Sequence, residues 1–99
     1  MKLQIYDVPD GSKQYWFWCP GCDMWHAYRV FAGKKAGKGW TFNGDVENPT
    51  FTPSLKVSLD VGKVCHLHLK AGRLIFLGDC YHELKGKTMD LPDIPEDVL

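Results

Sequence analysis

The strongest chemical signal in the chain is the segment Cys19-Pro20-Gly21-Cys22. Two thiolates separated by two residues on a tight turn can bind one cation at about 2.3 Å. A thioredoxin-like dithiol is the alternative, but it requires the first cysteine at a helix N-terminus within a βαβ unit. The residues after Cys22 have a strand pattern instead. The motif therefore predicts a zinc knuckle.

A two-cysteine knuckle is half of a tetrahedral zinc site, so the other ligands must come from the C-terminal half of the chain. Cys65 and His82 complete a set of three cysteines and one histidine, which is the preferred prediction. Two alternatives stay open. His66 replaces Cys65 in one of them, and Cys80 replaces His82 in the other.

Three further polar residues are candidates for supporting or catalytic roles. His26 follows the knuckle and is an alternative zinc ligand, expected otherwise to hydrogen-bond a ligand or to lie on the surface. Asp79 and Glu83 would supply a base if the zinc kept an open position for water. The sequence lacks the H-E-x-x-H motif and the zinc-deaminase motif, so no catalytic residue is assigned.

The hydrophobic pattern around these residues is mostly that of β-strands. Asn43-Gly44 predicts a two-residue turn, and Pro95–Leu99 is the one segment predicted to begin a helix. The pattern indicates six or seven strands, and the clearest are Gln14–Trp18, Trp25–Phe31, Trp40–Phe42, Leu55–Val61, Val64–Leu69 and Arg73–Leu77. In Leu55–Val61 the alternate apolar residues, Val61 included, are expected on one face.

A hairpin turn at Ala71-Gly72 is predicted to fix the pairing of the last two strands. In that register His68 faces Ile75 in mid-strand and is expected to be exposed. The open end of the hairpin gathers Cys65, His66 and the residues after the last strand. Cys65 and His66 point to opposite faces of a regular strand, so one zinc does not bind both without distorting it.

Composition limits the class of protein. The chain has 99 residues, 12 cationic and 12 acidic side chains, and 44% hydrophobic residues. It is expected to be one zinc-binding domain, 1–99, with a basic loop at 33–39 and an acidic tail at 88–99. Zero net charge argues against a bulk electrostatic attraction to nucleic acid or anionic membranes. Short apolar runs and the absence of a signal sequence predict a host-cell cytoplasmic protein with reduced cysteines.

Several ordered motifs resemble a family of short phage and prophage proteins of unknown function. They cover about residues 14–94 and include the knuckle with His26, the segments 40–45 and 49–55, Cys65-His66, 76–79 and 82–84. The resemblance implies that the knuckle cysteines, Cys65, His66 and His82 form one functional group. Related domains occur beside bacterial ubiquitin-like conjugation genes, which implies a protein partner.

These observations favour a mostly β, single-domain antiparallel hairpin fold that is stapled by one zinc and has little helix. The preferred function is a small interaction module that binds a host or phage protein and carries out no chemistry. A nucleic-acid-binding zinc ribbon is an alternative that zero net charge disfavours. A zinc-dependent hydrolase is the other alternative, built on Cys65, His66, Asp79 and His82.

Overall fold

The computed structural model describes residues 1–32 and 37–99. Eight strands in these residues form two antiparallel sheets, with the orders β1-β2-β3 and β4-β5-β6-β7-β8. A short 3₁₀ helix, Glu96–Val98, follows them. The strands are β1 (Gln4–Asp7), β2 (Lys13–Cys19), β3 (Met24–Val30), β4 (Thr41–Phe42), β5 (Phe51–Asp60), β6 (Lys63–Lys70), β7 (Arg73–Phe76) and β8 (Thr88–Asp90). The prediction of a mostly β fold built from hairpins is confirmed.

Aromatic side chains join the two sheets. The ring of Tyr28 on β3 stacks on Phe51 of β5, with the ring centroids 4.3 Å apart. Tyr15 on β2 lies 5.4 Å from the same ring. Such pairs contribute about 0.5–1.5 kcal/mol each beyond the apolar area they bury. The core therefore lies between the sheets, and the buried residues of β2 and β6 alternate along each strand: Tyr15, Phe17, Cys19, Cys65, Leu67 and Leu69.

The β6–β7 hairpin has the register predicted from the sequence. His68 pairs with Ile75. Ala71 and Gly72 both have positive φ angles, 50° and 77°, which a two-residue turn matched to the strand twist requires. The ladder ends at the pair Leu67–Phe76, so the chain leaves the regular sheet at residue 77.

Strand β5 is longer and less regular than predicted. It begins at Phe51, and its pairing with β6 is interrupted between Phe51 and Leu55. Pro53 lies inside this interruption and has no N–H to donate to a ladder, which accounts for the irregularity. The strand ends at Asp60, so the expected place of Val61 on the apolar face is wrong. Val61 lies in the turn before β6 and is 98% exposed.

The predicted two-residue turn at Asn43-Gly44 is also wrong. Residues 43–50 form a longer loop between β4 and β5. The side-chain oxygen of Asn43 accepts hydrogen bonds from the backbone N–H groups of Asp45 and Thr50, both at 3.1 Å. These side-chain bonds replace the backbone pairing that a tight hairpin would make.

Two edge strands, β1 and β8, were not predicted, because their residues are mostly exposed and lack a clear apolar alternation. Of the predicted basic loop at 33–39, residues 33–36 lie outside the described part of the chain. No helix within residues 1–32 and 37–99 is long and apolar enough to span a membrane.

Candidate functional site

Four buried or half-buried ligand side chains meet between the two sheets. Cys19 ends β2, Cys22 follows in the turn, Cys65 lies on β6, and His82 follows β7. Their ligand atoms all lie within 4.8 Å of one another. The Sγ atoms of Cys19 and Cys65 are 3.9 Å apart, and Sγ of Cys65 is 3.4 Å from Nε2 of His82. Two sulfurs bound to one tetrahedral zinc at 2.3 Å lie about 3.8 Å apart.

The electrostatics of this cluster favour a cation. A hydrogen bond from the Cys65 thiol is the main reason that the pKa of Cys19 falls to about 4. The same hydrogen bond raises the pKa of Cys65, and burial raises that of Cys22 to about 11. Burial and mutual repulsion of the sulfurs thus oppose the ionisation of Cys22 and Cys65 once Cys19 is a thiolate. A divalent cation would remove the repulsion among three thiolates.

His26 lies beside the cluster and is not part of it. The side chain is buried, and the nearby imidazole contributes to lowering the pKa of Cys19. Its Nε2 atom has no hydrogen-bond partner in the part of the chain that the structure describes. Because the side chain is buried, His26 is not a surface group, and its expected role in supporting a ligand stays a prediction.

A second group of polar side chains lies on the outer face of β5 and β6. Oγ of Ser54 is 2.9 Å from Nε2 of His66. Nδ1 of the same imidazole is 3.0 Å from Oδ2 of Asp79. The two ring nitrogens thus contact a hydroxyl group on one side and a carboxylate on the other. This is the geometry of the Ser-His-Asp triads that carry out acyl transfer.

The interruption in β5 brings Ser54 into this group. Leu55 pairs with Leu67, so regular pairing would place Ser54 opposite His68. The hydroxyl group of Ser54 reaches His66 instead. The indole N–H of Trp40 donates to the carbonyl oxygen of Ser54 at 3.2 Å, which holds this part of the strand.

The electrostatics of the triad keep its carboxylate ionised. A hydrogen bond from His66 is the main cause that lowers the pKa of Asp79, with smaller contributions from the Asp79 backbone and from Lys56. A carboxylate in this position fixes the tautomer of the imidazole, because Nδ1 carries the proton and Nε2 is left to accept one. The triad can therefore activate the Ser54 hydroxyl as a nucleophile.

The candidate residues predicted from the sequence divide between these two groups. Cys19, Cys22, Cys65 and His82 come together in the cluster. The His66 ring points away from it, toward Ser54 and Asp79. The thiol of Cys80 makes two hydrogen bonds with the backbone of His66. Its Sγ atom is 3.2 Å from the backbone nitrogen and 3.0 Å from the backbone oxygen of that residue.

Ser54 was missed by the sequence analysis. No G-x-S-x-G motif surrounds it, and the segment Thr52-Pro53-Ser54 carries no local sign of a nucleophile. The pairing of β5 with β6 brings Ser54 to His66, and the turn after β7 brings Asp79. Neither contact follows from residue spacing.

Comparisons with known proteins show the family to which the chain belongs. A search of curated proteins and a search of solved structures found no match to the chain. A family model described as "Bacterial ubiquitination-like system serine protease (BubE)" matches residues 2–77. The match includes Ser54 and His66 and ends two residues before Asp79. Because it spans most of the 99 residues, the chain belongs to the BubE family.

Proposed function

We propose that this protein is a serine protease in which Ser54 is the nucleophile, His66 the general base and Asp79 the carboxylate that orients His66. The observation that carries the proposal is the continuous path of contacts, 2.9 Å from Ser54 to His66 and 3.0 Å from His66 to Asp79. The family description names the same class of enzyme and supports the proposal independently.

The reaction follows from the positions of these groups. Oγ of Ser54 attacks the carbonyl carbon of the scissile bond while Nε2 of His66 accepts the hydroxyl proton. The tetrahedral intermediate collapses to an acyl-enzyme, and His66 gives the proton to the leaving group. Water then enters, loses a proton to His66 and releases the acyl group from Ser54. Asp79 stays ionised and stabilises the imidazolium in both halves of the reaction.

A polypeptide substrate fits the surroundings of the triad. The side chains of His66 and Asp79 are 23% and 51% exposed on the outer face of a sheet. A cavity of about 470 Å³ lies on the other sheet, away from the triad, where it is lined by Gln4, Tyr6, Gln14, Trp16, Trp25 and Val98. The exposure of His66 and Asp79 would let a chain segment of another protein reach the triad from outside the sheet. The family description supports a substrate that belongs to a bacterial ubiquitination-like system.

We also propose that Cys19, Cys22, Cys65 and His82 bind one structural zinc ion. The support is the compact four-ligand cluster and its sulfur–sulfur spacing. Four protein ligands leave no open position for water, so the zinc would carry out no chemistry itself. It would join the turn after β2 to β6 and to the segment after β7. In this proposal Ser54 attacks the substrate. In the zinc-dependent hydrolase that is the alternative from the sequence, a zinc-bound water would attack it instead.

Other conclusions of the sequence analysis stay predictions. They are the resemblance to phage proteins, a partner from the host or the phage, and a cytoplasmic location. A protease needs a protein partner only as its substrate, whereas the interaction module predicted from the sequence needs one and no chemistry. Measuring acyl transfer by Ser54 separates these two functions.

A fluorophosphonate probe tests the proposed nucleophile, because it forms a covalent bond with a serine that a neighbouring base activates. The expected result is one adduct, located by peptide mass spectrometry on Ser54. The adduct should be absent from His66→Ala and present in His68→Ala, which removes a histidine from the same face of the same strand. An adduct on Ser12 or Ser58, or none on zinc-loaded protein, would overturn the proposal.

Gly21 gives a test of the zinc ligand geometry. A methyl group added to Gly21 would overlap the imidazole ring of His82. Gly21→Ala should therefore displace the ring and weaken zinc binding about 10–100-fold, the range seen when the support of a ligand is lost. Competition with a coloured chelator measures the affinity. Gly78→Ala is the matched control, because a methyl group there meets no atom within 4 Å. Equal affinity in the two variants would contradict the proposed role of His82.

A further inference from the structure

The turn that carries Asp79 contacts β6 through both backbone and side-chain hydrogen bonds. Just after the turn, the backbone N–H of Tyr81 donates to the carbonyl oxygen of Val64 at 3.0 Å. The backbone N–H of Cys80 donates to the carbonyl oxygen of Leu77 at 3.2 Å, which closes a turn with Asp79 inside it. The backbone N–H of Leu77 donates to the carbonyl oxygen of His66 at 2.9 Å. The carbonyl of Leu77 is thus turned toward Cys80 instead of toward the backbone N–H of His66.

The thiol of Cys80 takes the place of that carbonyl. The backbone N–H of His66 donates to Sγ of Cys80 at 3.2 Å, and the thiol donates to the carbonyl oxygen of His66 at 3.0 Å. The side chain of Cys80 is 4% exposed. One side chain thus contacts both polar backbone atoms of the proposed general base, and its own backbone follows Asp79 directly.

We infer that Cys80 is a positioning residue of the proposed triad, which sets the distance between His66 and Asp79. The inference rests on the proposed function for its catalytic meaning. Cys80 is buried, so it acts through the two residues that it joins. A thiol suits this position because it both donates and accepts, whereas alanine or valine does neither.

The test compares Cys80→Ala, Cys80→Val and Cys80→Ser. Fluorophosphonate labelling provides a maximal labelling rate and a half-saturating probe concentration for each variant. Alanine and valine should lower the maximal rate about 10–100-fold, the cost of a displacement near 1 Å, with the half-saturating concentration unchanged. Serine keeps a donor and an acceptor and should restore most of the rate. Valine fills the volume of the thiol and keeps the test available if the alanine variant does not fold.

Proton NMR provides a second measurement that does not depend on reactivity. The Nδ1 proton of an imidazole that donates to a carboxylate gives a far-downfield signal. This signal of His66 should weaken or move upfield in Cys80→Ala and Cys80→Val and persist in Cys80→Ser. Leu91→Val is the control for a general loss of packing, because Leu91 is buried and its backbone N–H donates to Gly72, at the closed end of the hairpin.

Each outcome bears on one of the two proposals. Parental labelling and an unchanged NMR signal in Cys80→Ala would overturn the positioning role. Loss of bound zinc from Cys80→Ser would overturn it too, since Cys80 would then act as a metal ligand. If the parent protein shows no adduct on Ser54, the protease proposal fails, and the NMR comparison still decides whether Cys80 sets the contact between His66 and Asp79.

Discussion

Ser54→Ala and His66→Ala are each expected to lower the rate of acyl transfer by about 10⁴-fold or more, the usual loss when a triad member is removed. Alanine at position 54 removes the attacking oxygen. Alanine at position 66 removes the base that accepts its proton, 2.9 Å away. Hydrolysis of an activated ester such as p-nitrophenyl acetate measures the acyl-transfer step without the natural substrate.

Two control variants come from the same strands. Ser58 is exposed on β5, and His68 lies on the outer face of β6 opposite Ile75. Ser58→Ala and His68→Ala should keep the parental rate, because neither residue contacts the triad. A double variant, Ser54→Ala with His66→Ala, should be no slower than either single variant, since the two residues act as one unit. Additive losses, or activity retained in Ser54→Ala, would contradict the assignment.

Much of the fold follows from local patterns. Alternation of buried and exposed residues predicts β2 and β6, and the turn at Ala71-Gly72 fixes the register of the last hairpin. The same register predicts that Cys65 and the residues after β7 lie together. It does not predict the loop at 43–50, where side-chain oxygens compete with the backbone for its hydrogen bonds.

Local sequence patterns do not predict the triad, and the reason is physical. Hydrophobic alternation reports which face of a strand is buried, and it is insensitive to an irregularity that shifts the pairing by two residues and leaves the face unchanged. Ser54 reaches His66 because β5 is interrupted before Leu55. Asp79 reaches the same imidazole because the chain turns back after Leu77. The first event follows from a proline inside the strand and the second from a turn closed between Leu77 and Cys80, and hydrophobic alternation reports neither.

Neighbouring residues on β6 serve the two sites. Cys65 is fully buried and faces the cluster, whereas His66 is partly exposed and faces Ser54. Opposite orientation of adjacent residues in a strand makes this division possible. From the sequence, Cys65 and His66 are alternatives for one zinc position. The structure separates them onto two faces, so six candidate ligands no longer have to fit one site.

Loss of a zinc ligand is expected to have the largest effect on stability. Cys19→Ser, Cys65→Ser and His82→Ala should each prevent stable folding, because structural zinc contributes on the order of 10 kcal/mol or more to small domains. A 99-residue domain has a total stability of about 5–15 kcal/mol, so a loss of that size removes most or all of it. Thermal unfolding and elemental analysis should show one zinc per folded chain and a transition that a chelator lowers or abolishes.

The matched comparison is between Cys65→Ser and His66→Ala. If the zinc ligand is Cys65, His66→Ala keeps the metal and the fold and loses only acyl transfer. The reverse result, with zinc retained by Cys65→Ser and lost from His66→Ala, would establish the set with two histidines and contradict the division of the two faces. Chelation should also stop fluorophosphonate labelling of Ser54, since Cys65 precedes His66 and His82 lies three residues after Asp79. Zinc would thus act on the reaction only by holding the chain that carries the base and its carboxylate.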